Sequence, residues 1–128
     1  MKNKKCTGIW MDYSKAYVMS LENDTVKTTE LESEFTWEKM HYAYSRNENL
    51  MHNKERNLVK DYFESIGNCI SKEDEVVIFG PTNAKTELFN ILTTDTQYSN
   101  IKLNVLPADK MTENQRNAFV KEYFGVDK

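Results

Sequence analysis

The spacing of apolar residues changes character twice along the chain. Residues 7–13 (TGIWMDY), 16–21 (AYVMSL) and 25–31 (TVKTTEL) are short stretches rich in alternating, aromatic and β-branched positions, the pattern of half-buried strands. Ser14-Lys15 and Glu22-Asn23-Asp24 separate them, and Asn and Asp suit turns because they tolerate positive φ. This predicts an opening three-strand antiparallel meander. From Lys54 the spacing becomes three and four: Leu58, Val59, Tyr62, Phe63, Ile66, Cys69 and Ile70 form one stripe, as on a helix that buries one side. Residues 75–79 (EVVIF) are almost wholly apolar and stop at Gly80-Pro81. Such a run predicts a strand covered on both faces. Thr82 is the expected N-cap of a second helix with Leu88, Phe89 and Leu92 on its apolar side. Residues 101–106 (IKLNVL) alternate as a last strand. Thr112 and Gln115 have the spacing of a capping box, Ala118, Phe119, Tyr123 and Phe124 line the helix it starts, and Gly125 is its expected C′ stop.

The predicted order is β-β-β-α-β-α-β-α over one domain, residues 1–128. A hairpin meander followed by βαβα units implies an α/β protein, a mixed sheet with helices on its faces. This is the element order of the ribonuclease H-like fold, with an expected strand order of 3-2-1-4-5 and the third strand at one edge. Residues 32–53 show no period and predict a long connection; long loops in compact domains are usually functional or mobile.

Charge narrows the partners. With 17 basic and 20 acidic residues the chain carries a formal charge of −3, unlike general nucleic-acid binders, which are usually basic. No DNA partner is expected, while a local basic patch for RNA remains open. No apolar run approaches the length of a membrane span. The start, MKNKKCTGIW, lacks the apolar core of a signal peptide, so a cytoplasmic location is expected. Cys6 and Cys69 lie far apart with no CxxC spacing, which predicts reduced thiols and no zinc site. No cofactor and no metal are expected.

Three stretches could carry chemistry. In Gly80-Pro81-Thr82-Asn83-Ala84-Lys85 a helix start offers backbone N–H groups to an anion, with Lys85 adding charge. The second glycine of a Walker loop is missing, so the stretch reads first as a corner of the fold and second as an RNA-phosphate contact. Asp12 ends the first strand, where ribonuclease H-like nucleases place a metal-binding carboxylate. Two-metal chemistry needs several converging carboxylates, and the fourth strand ends in Phe79-Gly80; Asp12 therefore reads as a turn residue, and a metal-dependent hydrolase ranks third among the readings. Residues 41–57 mix aromatics with His41, Arg46, His52, Lys54 and Arg56, a composition suited to base stacking and phosphate contact. Arg46, Lys54 and Arg56 join Gly80, Thr82 and Lys85 as RNA- or anion-binding candidates.

The helical stretch KERNLVKDYFESI followed by EVVIFGPTNAKTEL resembles the middle domain of archaeal and eukaryotic class I peptide-chain release factors and of Pelota, where a Gly-x-x-x-x-Lys turn leads from strand to helix. ADKMTENQRNAFVKEYF, residues 108–124, is similar to the Asp-His-Pro-Thr-Asp-x-Gln ending of small stand-alone bacterial proteins grouped with the translational-machinery components. Asp109, Thr112 and Gln115 stand at matching positions, and Trp10 and Asp12 match the Trp-x-Asp of their opening. The resemblance implies a lone middle-domain module, without counterparts of the decoding and factor-binding domains. Release factors carry Gly-Gly-Gln on the loop after the third strand; residues 32–53 contain no glycine, so no catalytic residue carries over. The expected function is a non-catalytic module that binds the ribosome, structured RNA or a translation protein. The alternative is a protein-interaction or self-associating module, such as a homodimer, without RNA binding.

Overall fold

The computed structural model describes residues 5–22, 25–33 and 60–125. Strands β1 (Cys6–Met11), β2 (Lys15–Glu22) and β3 (Thr25–Glu32) form the predicted meander. A helix, α1, runs through residues 60–70. Strand β4 (Glu75–Gly80), helix α2 (Ala84–Thr94), a 3₁₀ turn (Thr96–Tyr98), strand β5 (Lys102–Pro107) and helix α3 (Glu113–Tyr123) complete the order. The five strands make one mixed sheet, β3-β2-β1-β4-β5, with β4 parallel to both β1 and β5. The topology is ribonuclease H-like, in the strand order expected.

The pattern of burial follows from strand geometry. Successive side chains point to opposite faces, so the central strands feed two cores. Ile9 and Met11 of β1 and Val76 and Ile78 of β4 face α1 and α2, joining Tyr62, Phe63, Ile66, Ile70, Ala84, Leu88 and Leu92. Trp10, Val77 and Phe79 face the other way and meet Val120 of α3. Both central strands are therefore covered on both faces, which is why the VVIF run of β4 does not alternate. Edge strand β3 is exposed at most positions, and its Lys27, Thr28, Thr29, Glu30 and Glu32 discourage pairing with other chains.

Close approach explains one glycine. A Cβ on Gly8 would lie 2.5 Å from Val120 Cγ2, so α3 packs against bare β1 backbone there.

Several expectations need correction. Cys69 is exposed rather than part of the α1 stripe, because the stripe narrows to Tyr62, Phe63, Ile66 and Ile70 where the helix meets the sheet. Leu58, Val59, Asn23, Asp24 and the connection after residue 33 lie outside the described residues. Ala118 is exposed; Phe119, Tyr123 and Phe124 pack on the core as expected, together with the buried Val120 and Arg116. Asn83, not Thr82, occupies the α2 N-cap and makes no side-chain cap bond; the Thr82 hydroxyl instead accepts from the Ala84 N–H at 3.2 Å. Thr112 and Gln115 form the predicted capping box, and Gly125 follows α3 at φ 75°, the left-handed stop that glycine supplies cheaply.

Candidate functional site

Parallel pairing brings the carboxyl ends of β1, β4 and β5 to one rim. From there α2 leaves toward the Ile9 side of the sheet and α3 toward the Trp10 side. The point where successive connections leave on opposite faces is where open α/β sheets place their ligands. Two 11-residue helices thus begin at this rim. Their first turns carry Glu87 and Glu113, which offset part of the positive end of each helix dipole.

Gly80 closes β4 at φ 156°, a conformation that side-chain-bearing residues rarely adopt. A Cβ there would run into the Met11 carbonyl, so the turn lies hard against the end of β1. The Gly80 carbonyl accepts from the Ala108 N–H at 3.1 Å, tying the turn to the loop after β5. Lys85 Nζ donates to the Thr82 carbonyl at 2.6 Å. The ammonium therefore folds over its own turn, with two further N–H donors by chemistry.

Asp12 serves the hairpin. Its Oδ1 accepts from the N–H groups of Ser14, at 2.7 Å, and Lys15, at 2.9 Å, as Asp does in turns. Its carbonyl accepts from the Tyr62 hydroxyl at 2.7 Å. Burial, reinforced by the Asp12 charge, pushes the Tyr62 phenol above its ordinary range. Next to Asp12, Tyr13 donates to the Glu87 carboxylate; burial first, then that bond and that charge, push its pKa up to about 12. These contacts lock the β1 end to α1 and α2. Among the described residues no group of three His, Cys, Asp or Glu side chains is placed to hold a metal ion, and no helix is long and apolar enough to cross a membrane.

The remaining sequence-matched residues meet although they come from opposite ends of the chain. Trp10 Nε1 donates to the Asp109 carbonyl at 3.2 Å, and the Thr112–Gln115 capping box follows directly. The loop between β5 and α3 is thereby held from below by the indole. Arg46, Lys54 and Arg56 lie outside the described residues.

Arg116 was not anticipated. It is only 9% exposed. Its guanidinium carbon sits 3.7 Å from the centre of the Tyr17 ring, and Nη1 donates to the Met111 carbonyl at 2.8 Å. Nε is buried without a hydrogen-bond partner, as is Asn117 Oδ1. The signal in the sequence was slight: Arg116 stands four residues before Val120, on the helix side that faces the sheet.

No known protein-family model matches the sequence, and no curated protein matches it. Solved structures do match in fold. Pelota from Thermoplasma acidophilum aligns with a TM-score of 0.62 and 15% identity, over 97% of this chain and 34% of that one. Pelota from Archaeoglobus fulgidus aligns with a TM-score of 0.56 and 14% identity, over 98% and 36%. An archaeal translation termination factor aligns with a TM-score of 0.52 and 13% identity, over 92% and 34%. The chain thus spans about a third of each of these proteins, and at such identity the likeness is one of fold.

Proposed function

We propose that this protein is a non-catalytic module of the translation apparatus, equivalent to the middle domain of Pelota and the release factors, that binds the ribosome, structured RNA or a translation protein. The observation that carries this reading is the alignment of nearly the whole chain with one third of three translation-factor structures. The absence of catalysis rests on chemistry. Residues 32–53 hold no glycine for a peptide-releasing Gly-Gly-Gln. Asp12 spends its carboxylate on two backbone N–H groups, and β4 ends at Gly80 without an acid. Neither peptidyl-tRNA hydrolysis nor magnesium- or manganese-dependent nuclease activity is expected.

For RNA, Lys85 at the Gly80 turn and Arg46, Lys54 and Arg56 supply the cations. Phosphate contacts are salt-sensitive and tolerant of sequence. Co-sedimentation with ribosomes at low and high salt tests the reading: the protein should pellet at low salt, and Lys85→Ala should weaken binding evenly with a shallower salt slope. No pelleting at low salt would count against it. The net charge of −3 favours a second reading, a protein partner without RNA. That reading expects any ribosome association to be indifferent to substitution of Lys85, Arg46 and Arg56.

A further inference from the structure

We propose that the free edge of β5 pairs with the same edge of a second copy of this chain, joining two five-stranded sheets across a two-fold axis at Asn104. The inference concerns the sheet edge and not the Gly80 turn, and it holds with or without ribosome binding.

Strand β5 ends the sheet order, and among the described residues no strand lies beyond it. Its Lys102 N–H donates to the Asp74 carbonyl at 3.0 Å, and the Ala108 N–H donates to the Gly80 carbonyl at 3.1 Å. Even-numbered residues thus turn their main-chain groups to β4. Because that direction alternates along a strand, Leu103 and Val105 turn theirs outward. Pro107 holds the next outward position, where a missing N–H is tolerated. The edge is open to solvent: Lys102, Asn104 and Pro107 are exposed, and Leu103, Val105 and Leu106 are half-buried. An open edge of this kind is a template for another strand. Strand β3 guards its own edge with Lys27, Glu30 and Glu32, whereas the one charge in β5 is Lys102, at its start.

A second copy is the occupant because this edge is its own complement. Residues that face each other across an antiparallel pair share one side of the sheet, so a two-fold register joins positions of equal parity. With Asn104 opposite Asn104 of the second copy, Leu103 faces that copy's Val105, and Val105 faces its Leu103. Both positions carry outward main-chain groups, so each pair exchanges two hydrogen bonds, and every outward N–H of the two strands is satisfied. Leu103 and Val105 both pack on the α1–α2 side, so apolar side chains meet apolar side chains there. On the other face Asn104 Nδ2 donates to the Tyr123 hydroxyl at 2.6 Å. The amide keeps one N–H and its oxygen, the combination that pairs reciprocally with a second amide. Charge and chemistry select this register. Moving the axis to Leu103 would leave the two Lys102 positions about 7 Å apart along the strands, against about 14 Å here, which exceeds the screening length at physiological salt. Moving it to Val105 would set Leu103 against Pro107, which has no N–H to return.

The test uses the full chain without RNA. Sedimentation velocity from about 10 µM to about 1 mM, a range suited to a small interface, should show the average mass rising from one copy towards two. Over the same range, amide hydrogen exchange read by NMR should slow at Leu103 and Val105. It should stay constant at Thr28 and Glu30 on the β3 edge, where the Ser33 N–H bond to the Ser14 carbonyl sets even positions outward. Asn104→Asp, an exposed change that sets two carboxylates together at the axis, should weaken the dimer at least about tenfold. Thr28→Asp should leave it unchanged. A single copy throughout, a dimer with unchanged exchange at Leu103 and Val105, or an Asn104→Asp chain that pairs as tightly as the parent would overturn the proposal. So would a chain that stays single while a foreign strand, acetyl-Thr-Val-Thr-Val-Thr-amide, protects the same two amides. The exchange measurement needs no variant, so misfolding of a mutant leaves the outcome clear.

Discussion

Gly80 shows how much one backbone position decides. Its φ of 156° and the Met11 carbonyl beneath it leave no room for a side chain. Gly80→Ala should therefore cost about 1–3 kcal/mol, the range for a residue forced into a sparsely populated conformation, measurable by urea denaturation. Tyr13 gives a pH signature. Its pKa is about 12 in the fold against an ordinary 10.0, so the folded state favours the protonated phenol. The resulting stability is fully present below pH 10 and is lost as pH rises toward 12. Tyr13→Phe should flatten the decline of stability in that window, and titration of tyrosinate absorbance should lose a component near pH 12.

The start of α3 is the element whose chemistry is most complete. Thr112 Oγ1 accepts from the Gln115 N–H at 3.2 Å, and Gln115 Oε1 accepts from the Thr112 N–H at 2.9 Å. Thr112→Ala should cost about 1 kcal/mol. Its amide exchange should accelerate first in residues 112–116, because the cap secures the end of the loop that Trp10 holds at Asp109. The β1–β2 hairpin has a comparable lock in Asp12, whose carboxylate takes two N–H groups across the turn.

The whole molecule is a sheet with separate cores on its two faces, joined through β4. Ile78 belongs to the α1–α2 side, while Val77 and Phe79 belong to the α3 side. Ile78→Ala should cost about 2–5 kcal/mol. It should also lower the midpoint reported by Trp10 fluorescence in a Trp37→Phe background, although Trp10 lies on the opposite face. Two midpoints that separate by probe would mean that the layers melt independently.

By itself the sequence determined the elements and their order. Periods of two and of three to four are local consequences of strand and helix geometry, and the unbroken EVVIF run already required cover on both faces. The Thr112–Gln115 box and the Gly125 stop were equally legible, because capping depends on residues within one turn. What only the tertiary structure decided was which distant groups meet. The 99-residue reach from Trp10 to Asp109 follows from β1 and β4–β5 sharing a rim, which no local pattern encodes. Cys69 kept helical spacing yet faces solvent, since the sheet covers a narrower arc of α1 than the apolar stripe spans. Arg116 was invisible for the same reason: an arginine reads as a surface residue until a tyrosine ring from another strand is found beneath it.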